Sequence, residues 1–256
     1  MIKDEKVAIV TGATSGIGEA IAYALAKNGF DLIITGRRED KLNKVASKII
    51  KDYNTDVIQL NLDVRIWEDV QNTISNLTNK WKEIDLLVNN AGLAVGLESI
   101  EDGIIEDWER MIDTNIKGLL YMTKAVAPLM IERKKGHIIN IGSIAGKSVY
   151  PNGNVYCATK HSVDALSRAM TYDLNKHSIK VSQVSPGAVE TEFSIVRFKG
   201  DVEKASNVYK GFKPLSAKDV ADSVMFIVNA PEHVNISDLV IMPSAQASAT
   251  QIRRES

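Results

Sequence analysis

The chain has 256 residues, 45% hydrophobic and 25% charged, which is the composition of an ordinary folded domain. Its 31 basic and 32 acidic residues give a formal net charge of -1, so no overall field favours nucleic acid or an anionic membrane. The one cysteine, Cys157, excludes an intrachain disulfide and a cysteine-rich metal site, and the 4 histidines show no metal-ligand spacing. We therefore expect a single domain over residues 1–256 with small-molecule ligands, no metal, and no nucleic-acid or membrane partner.

The amino-terminal residues indicate the cellular compartment. The segment MIKDEKVAIVTG carries charges where a secretory signal would need an apolar stretch. No run in the sequence approaches the ~20 apolar residues of a membrane-spanning helix. A single cysteine also fits a reducing compartment. We expect a cytoplasmic protein.

Short runs rich in valine and isoleucine alternate with longer helical patterns along the chain. This alternation is typical of strand–helix–strand units and of a parallel sheet covered by helices on both faces. Seven runs are predicted as strands: KVAIVT, DLIIT, DVIQLNL, DLLVN, HIINIG, KVSQVS and SDLVIM. No repeat, low-complexity tract or linker interrupts the sequence. The prediction is a single-domain α/β fold, a Rossmann-like doubly wound parallel sheet of about seven strands.

A glycine-rich segment, TGATSGIG, follows the first predicted strand and opens the first helix. Glycines at such a turn let the backbone approach a pyrophosphate, and the N–H groups of the helix N-terminus favour an anion. An isolated glycine pattern is also compatible with a plain turn, but the strand before it and the helix after it favour a dinucleotide site. The residues predicted here to bind the cofactor are Gly12, Thr14, Ser15, Gly16, Ile17 and Gly18.

The second predicted strand leads into a pair of arginines, Arg37 and Arg38. Dinucleotide folds that prefer NAD place a carboxylate at this corner to hold the ribose 2′-hydroxyl. A guanidinium group there binds a 2′-phosphate instead, which favours NADP. The alternative is a solvated arginine pair beside Glu39 and Asp40.

Polar and small residues follow the third and fourth predicted strands, at the edge where ligands bind in open α/β sheets. The carboxylate of Asp63 can accept a hydrogen bond from an adenine amino group, although a lone aspartate at a strand end is more often a cap. The segment NNAG offers a tight turn of small residues beneath a cofactor. We expect these positions to line the cofactor site: Asp63, Val64, Asn90, Ala91 and Gly92.

Four tyrosines have a lysine four residues further along the chain, so the spacing of Tyr156 and Lys160 in VYCATK decides nothing alone. Tyr23 lies in the helix that follows the glycine-rich turn. Tyr172 points roughly 160° away from Tyr156 on the same predicted helix. Tyr209 lies in an irregular segment with no predicted strand end nearby. Tyr156 alone begins a helix just after a strand that brings a serine, Ser143, to the same sheet edge.

The surroundings of Tyr156 predict a proton-transfer site. A phenol has a pKa near 10 and is a weak base at neutral pH, but a neighbouring ammonium group favours the phenolate. Tyr156 is therefore the predicted general acid and base. Lys160 is expected to lower its pKa and to hold a ribose hydroxyl, and Ser143 is expected to bind the substrate oxygen. The alternative reading of VYCATK is an ordinary surface turn of a helix.

The full set of motifs resembles the short-chain dehydrogenase/reductase family over essentially the whole chain. The resemblance rests on TGATSGIG, NNAG, Asn115, Ser143, YCATK and PGAVET, in family order and at family-like spacing. It implies a catalytic tetrad in which Asn115 interrupts its helix and holds a water that relays protons to Lys160. The tetrad residues are Asn115, Ser143, Tyr156 and Lys160, and the residues implied along the nicotinamide are Pro186, Gly187, Val189 and Thr191.

A narrower resemblance is to bacterial NADP-dependent 3-hydroxy acid dehydrogenases, also described as serine or allo-threonine dehydrogenases. It rests on segments such as GHIINIGSIAG, PNGNVYCATK and TEFSIVRFKGD, and it departs at Asn152 and Cys157, where glycine is more usual. The resemblance implies hydride transfer between NADP(H) and a small 3-hydroxy acid of the serine, allo-threonine or 3-hydroxypropionate type. It also implies a homotetramer that pairs through the long helices predicted at about 105–133 and 154–177.

Residues 187–217 form the least regular part of the sequence and are predicted to be a substrate lid. A substrate with a carboxylate two carbons from its reacting hydroxyl needs a fixed cation near the nicotinamide. Arg197 is our candidate for this cation, ahead of Lys199. The alternative is a solvated basic loop.

Two other functions stay open from the sequence. A 3-oxoacyl-thioester (acyl-carrier-protein) reductase would share every catalytic residue and differ in the lid. A regulatory protein would keep the NADP site without turnover. The presence of both Tyr156 and Lys160 argues against this second alternative.

Overall fold

The computed structural model describes residues 6–255. All seven predicted strands are present, and two further strands of two residues each pair outside the main sheet. The strands are β1 (Lys6–Thr11), β2 (Phe30–Gly36), β3 (Val57–Asn61), β4 (Ile84–Asn89), β5 (Gly136–Ile141), β6 (Ile179–Pro186), β7 (Val189–Glu190), β8 (Leu215–Ser216) and β9 (Asp238–Ile241).

The main sheet is parallel throughout, with the strand order β3-β2-β1-β4-β5-β6-β9. The order reverses between β1 and β4, so the connections leave these two strands in opposite directions. A crevice opens at the carboxyl ends of strands that part in this way, and ligands of open α/β sheets bind there. The predicted Rossmann-like doubly wound sheet is therefore confirmed.

Helices cover both faces of the sheet and bury the side chains that alternate along its strands. In β1, for example, Ala8 and Val10 pack with the helices of one face, whereas Val7 and Ile9 pack with those of the other. The helices are α1 (Gly16–Lys27), α2 (Glu39–Tyr53), α3 (Trp67–Ser75), α4 (Ile105–Ile112), α5 (Gly118–Arg133), α6 (Asn154–Asn175), α7 (Phe193–Arg197), α8 (Val202–Asn207) and α9 (Ala217–Val228).

The long helical stretch through α4 and α5 is interrupted where the sequence predicts, but only once. A π-helical turn, Asp113–Lys117, joins the two helices and contains Asn115. Because proline disfavours a helix interior, the sequence also predicts an interruption at Pro128; this prediction is wrong, since α5 continues through the residue. Helix packing therefore outweighs the hydrogen bond that a proline removes.

The segment predicted as a lid contains α7, α8 and the small β7–β8 pair, and so carries more regular structure than its sequence suggests. Between residues 6 and 255, no helix is both long enough and apolar enough to cross a membrane. The same residues contain no cluster of three or more histidine, cysteine, aspartate or glutamate side chains suited to a metal ion. The expectation about a secretory signal rests partly on residues 1–5, which lie outside the described residues.

Candidate functional site

A cavity of about 750 Å³ lies at the carboxyl edge of the sheet, beside the reversal of strand order. This volume lies in the range of small-molecule and cofactor sites. Its wall includes every residue predicted to bind the cofactor, namely Gly12, Thr14, Ser15, Gly16, Ile17, Gly18, Arg37, Arg38, Asp63, Val64, Asn90, Ala91, Gly92, Tyr156, Lys160, Pro186, Gly187, Val189 and Thr191, together with Ser143 and Arg197. Asn115, the remaining predicted site residue, lies behind this wall.

The glycine-rich turn keeps the floor of the cavity free of side chains. Gly12 and Gly16 have φ angles of +67° and +60°, which favour glycine. A Cβ atom on Gly18 would lie 2.4 Å from both Asn90 Nδ2 and the carbonyl oxygen of Gly12. The N-cap of α1, Ser15, makes no side-chain capping bond, so the first N–H groups of the helix remain available to an anion. This cradle of backbone groups fits a pyrophosphate.

The segment NNAG is joined directly to this turn. Thr11 Oγ1 accepts hydrogen bonds from the backbone N–H groups of Asn90 and Ala91, at 3.0 and 2.9 Å. Asn90 Nδ2 in turn donates to the carbonyl oxygen of Thr11 at 2.8 Å. The ends of β1 and β4 therefore form one rigid platform beneath the cavity.

The two arginines after β2 have different surroundings. Arg38 donates to Thr14 Oγ1, Ser15 Oγ and Glu192 Oε2, at 2.8, 2.6 and 2.7 Å. Arg37 has Asp63 as its nearest acid, at 3.8 Å from Nη1. Both guanidinium groups line the cavity, where their positive charge suits a phosphate.

The carboxylate of Asp63 is held in place by Arg65. Arg65 Nε donates to both carboxylate oxygens, at 2.9 and 3.0 Å, and Nη2 adds a bond of 2.5 Å. Desolvation raises the pKa of Asp63, but the bonds from Arg65 outweigh it and the pKa lies below its usual value. The residue stays ionised and is oriented as an acceptor at the cavity wall.

Tyr156 and Lys160 are buried at the other end of the cavity, with 8% and 7% of their surface exposed. Lys160 Nζ donates to the carbonyl oxygen of Ile141 at 2.8 Å. A Cβ atom on Gly92 would lie 3.6 Å from Lys160 Nζ and 3.2 Å from Asn115 Oδ1, so the lysine and the asparagine meet around this glycine.

The side chain of Asn115 ties three segments together. Its Nδ2 donates to the carbonyl oxygen of Leu93 at 2.8 Å and to Thr159 Oγ1 at 3.0 Å. Its Oδ1 accepts from the backbone N–H of Leu93 at 2.8 Å. Two of these bonds fix the π-helical turn to the segment after β4, and the third fixes it to α6, next to the turn that carries Tyr156 and Lys160.

The electrostatics of this end differ from the expectation for Lys160. Burial raises the pKa of Tyr156 above its usual value, while a hydrogen bond with Ser143 and the charge of Arg197 lower it. Burial lowers the pKa of Lys160 to about 8. The cation that opposes the effect of burial on Tyr156 is therefore Arg197. Lys160 points to the carbonyl oxygen of Ile141 instead, and burial disfavours its own charged form.

Arg197, at the end of α7, lies against the phenol. Its guanidinium carbon lies 5.6 Å from the ring centre of Tyr156 and 5.3 Å from that of Tyr150. The backbone of Arg197 is anchored by a hydrogen bond of 3.0 Å from Gly96 N to its carbonyl oxygen. Lys199, the other cation of the segment, forms an ion pair of 2.6 Å with Asp107 instead. The two basic residues therefore have different surroundings, and of the two only Arg197 lies beside Tyr156.

Comparison with known proteins identifies the family. The family model described as short chain dehydrogenase matches residues 6–201. The chain belongs to the short-chain dehydrogenase family. The predicted family is therefore confirmed, and it makes the protein an oxidoreductase that acts on a CH–OH group.

Relatives within the family match almost the whole chain. NADP-dependent 3-hydroxy acid dehydrogenase YdfG of Salmonella typhi is 46% identical over 244 residues, which cover 95% of this chain and 97% of the relative. NADP-dependent 3-hydroxy acid dehydrogenase of Schizosaccharomyces pombe is 40% identical over 253 residues, 98% of each chain. The solved closed form of serine dehydrogenase complexed with NADP+ has a TM-score of 0.90 at 44% identity, covering 98% of this chain and 100% of that chain.

The other three tyrosines with a lysine one turn away are not equivalent to Tyr156. Tyr23 packs against Tyr53, with ring centres 6.4 Å apart, and Tyr172 is 85% exposed. The expectation for Tyr209 is wrong, because its hydroxyl donates to the carbonyl oxygen of Val189, in the short strand β7, at 2.8 Å. Tyr209 therefore lines the cavity, within the segment predicted as a lid.

Several residues that line the cavity have no counterpart among the sequence predictions. Glu192 bridges Arg38 and Lys41, and these two cations lower its pKa to about 2. Its position next to Thr191 in the PGAVET segment is a signal that could have been used. The carboxyl-terminal tail carries no such motif. Other lining residues that were not predicted include Tyr150, Phe193, Gln246, Ile252 and Arg254.

Proposed function

We propose that this protein is an NADP-dependent dehydrogenase that interconverts a small 3-hydroxy acid and its 3-oxo acid or semialdehyde. The observation that carries the proposal is the guanidinium group of Arg197, 5.6 Å from the Tyr156 ring in the wall of the same cavity. A cation at this distance suits a substrate with a carboxylate near its reacting carbon. The names of the relatives, 3-hydroxy acid dehydrogenase and serine dehydrogenase, support the same substrate class.

The cavity supports NADP as the cofactor. The glycine-rich turn and the N-terminus of α1 suit the pyrophosphate, and the charges of Arg37 and Arg38 suit a 2′-phosphate. Asp63 offers an ionised acceptor to the adenine amino group. NADP is also the cofactor named for the relatives and for the solved serine dehydrogenase complex.

In the proposed reaction, Tyr156 transfers the proton. When bound, NADP supplies the hydride acceptor and its reduced form supplies the donor. The hydroxyl of Ser143 holds the substrate oxygen, and Tyr156 Oη removes the hydroxyl proton in oxidation or donates it in reduction. Arg197 helps by favouring the phenolate.

Lys160 and Asn115 complete the proposed proton path. A pKa of about 8 lets Lys160 exchange protons near neutral pH while it holds a ribose hydroxyl. Both Nδ2 hydrogens of Asn115 are donated to Leu93 and Thr159, so a water held by this residue would bind to one of its carbonyl oxygens, in the main chain or in the side chain.

A substrate panel tests the proposal. Serine, allo-threonine and 3-hydroxypropionate are assayed with NADP and with NAD at matched concentrations, beside neutral alcohols and 3-oxoacyl thioesters assayed with NADPH. We expect turnover of at least one hydroxy acid with NADP, and weaker turnover of its neutral analogue. Turnover of thioesters alone would favour an acyl-thioester reductase, and inactivity throughout would favour a regulatory protein.

Three further expectations from the sequence are part of this proposal. We infer a single domain, a homotetramer and a cytoplasmic location. A monomer in analytical ultracentrifugation would contradict the homotetramer.

A further inference from the structure

A tight turn just before α6 places an aromatic side chain beside the proposed carboxylate site. The N–H of Gly153 donates to the carbonyl oxygen of Tyr150 at 3.1 Å, and Asn152 has a φ of +62°. Proline at the second position and a left-handed residue at the third are typical of a type II turn, which explains Pro151 and Asn152. Asparagine is among the residues that tolerate this conformation best, so it can stand where glycine is more usual.

The ring of Tyr150 packs directly on the end of this turn. A Cβ atom on Gly153 would lie 2.2 Å from Tyr150 Cε2, so the ring occupies space that only a glycine leaves open. Tyr150 belongs to the apolar cluster around Tyr156 and Cys157. The turn and the cluster together leave the ring little freedom to move.

The hydroxyl of Tyr150 is directed at Arg197. It accepts a hydrogen bond of 2.8 Å from Arg197 Nη2, across a separation of 47 residues in the chain. The same guanidinium group lies between the rings of Tyr150 and Tyr156. Its Nε is buried and has no hydrogen-bond partner among the described residues. A buried donor of this kind is costly, so an acceptor supplied by a ligand or by lid movement would stabilise the site.

We propose that Tyr150 is a positioning residue that holds Arg197 beside Tyr156 and thereby makes the enzyme selective for substrates with a carboxylate. The proposal rests on the proposed function of Arg197 as the carboxylate-binding cation. An arginine side chain has several rotatable bonds, and fixing it in advance removes an entropic cost from binding. Loss of the Tyr150 hydroxyl leaves the positive charge of Arg197 in place but removes the hydrogen bond that orients the guanidinium group.

The experiment compares Tyr150→Phe, Arg197→Ala and the double variant on a hydroxy acid and on its neutral amide, with saturating NADP. We expect Tyr150→Phe to raise KM for the acid about 10-fold, the size of one hydrogen bond to a charged group, with kcat within about 3-fold. The value of kcat/KM for the amide should not change. The double variant should be no worse than Arg197→Ala, because the two residues act as one unit.

A binding measurement gives a readout that does not depend on turnover. Calorimetry of NADP-loaded protein with a short carboxylic acid that lacks the hydroxyl should show the same loss of affinity of about 10-fold in Tyr150→Phe. Affinity for NADP itself, followed by protein fluorescence, should not change. An equal loss for the acid and the amide would overturn the proposal, since it would indicate a general packing defect.

The failure of this inference can be told apart from the failure of the proposed function. If Arg197→Ala leaves the preference for acid over amide intact, Arg197 does not bind the carboxylate and the proposed function loses its main support. If Arg197→Ala abolishes the preference but Tyr150→Phe leaves it unchanged, only the positioning role of Tyr150 is wrong.

Discussion

The two ends of the cavity are built in different ways. The cofactor end consists of the turns after β1, β2, β3 and β4, and its shape comes from glycine backbone and from bonds between neighbouring strand ends. The other end, where we propose that the substrate binds, is called the substrate end and consists of side chains from the turn before α6, from α6 itself, from α7 and from the carboxyl-terminal tail. The first end is a feature of the fold, whereas the second depends on which side chains these segments carry.

From this difference we expect variants at the two ends to affect different properties. Changes at the cofactor end should alter the affinity for NADP and leave the preference among substrates intact. Changes at the substrate end should alter turnover or substrate KM and leave NADP affinity intact. A substitution at one end that alters the property expected of the other end would show that the two ends are coupled.

The largest expected effect is that of Tyr156→Phe. Removal of the proposed proton-transferring hydroxyl should lower kcat by about 1,000-fold, within the usual contribution of general acid–base catalysis. NADP binding, measured by fluorescence titration, should survive. The matched control is Tyr172→Phe, since Tyr172 also has a lysine one turn on but is 85% exposed. Equal losses in the two variants would remove Tyr156 from the mechanism.

The next effect concerns Arg37 at the cofactor end. Arg37→Ala should raise Kd for NADP about 100-fold, because it removes charge-assisted hydrogen bonds to the 2′-phosphate, and should leave Kd for NAD nearly unchanged. Isothermal titration with both cofactors measures this. Arg168→Ala serves as the control, because Arg168 is a surface residue paired with Asp164. A parallel loss for NADP and NAD would contradict the assignment.

A smaller effect, without discrimination between cofactors, is expected for Gly18→Ala. The new Cβ atom would be forced to within 2.4 Å of Asn90 Nδ2 and Gly12 O, so the turn must shift. Affinities for NADP and NAD should both fall about 30-fold, equivalent to the usual cost of overpacking. Gly29→Ala is the control. Its Cβ would meet no atom within 4 Å, so NADP affinity should be retained, whereas its φ of +81° should lower thermal stability through backbone strain.

The smallest effect is a shift of the pH profile in Arg197→Ala. The charge of Arg197 lowers the pKa of Tyr156, so its removal raises this pKa further. Oxidation requires the unprotonated phenol, and its rate should therefore rise at higher pH in the variant than in the parent enzyme. The profile of kcat for hydroxy-acid oxidation, measured at saturating substrate, checks the direction. An unchanged or lower midpoint would mean that Arg197 does not act on Tyr156.

The sequence alone was enough to predict the fold and to select residues that lie together at the cofactor end of the cavity. Strands of the main sheet appear as local apolar runs, and a pattern of glycines between a strand and a helix needs only a few consecutive residues to identify a phosphate-binding turn. Tyr156 could be separated from three similar tyrosines because Ser143 and a strand end precede it. Every predicted cofactor contact lies in one cavity because parallel strands end at the same edge of a sheet.

Only the tertiary structure decided how the substrate end is arranged. The bond between Tyr150 and Arg197 joins residues 47 positions apart, and that between Arg38 and Glu192 joins residues 154 positions apart. Neither contact has a periodicity or a motif, because it depends on the path of an irregular segment across the sheet edge. The course of this same segment places Lys199 in an ion pair with Asp107 and places Arg197 beside Tyr156. Long-range contacts between side chains depend on how distant segments pack, and a short stretch of sequence does not specify that packing.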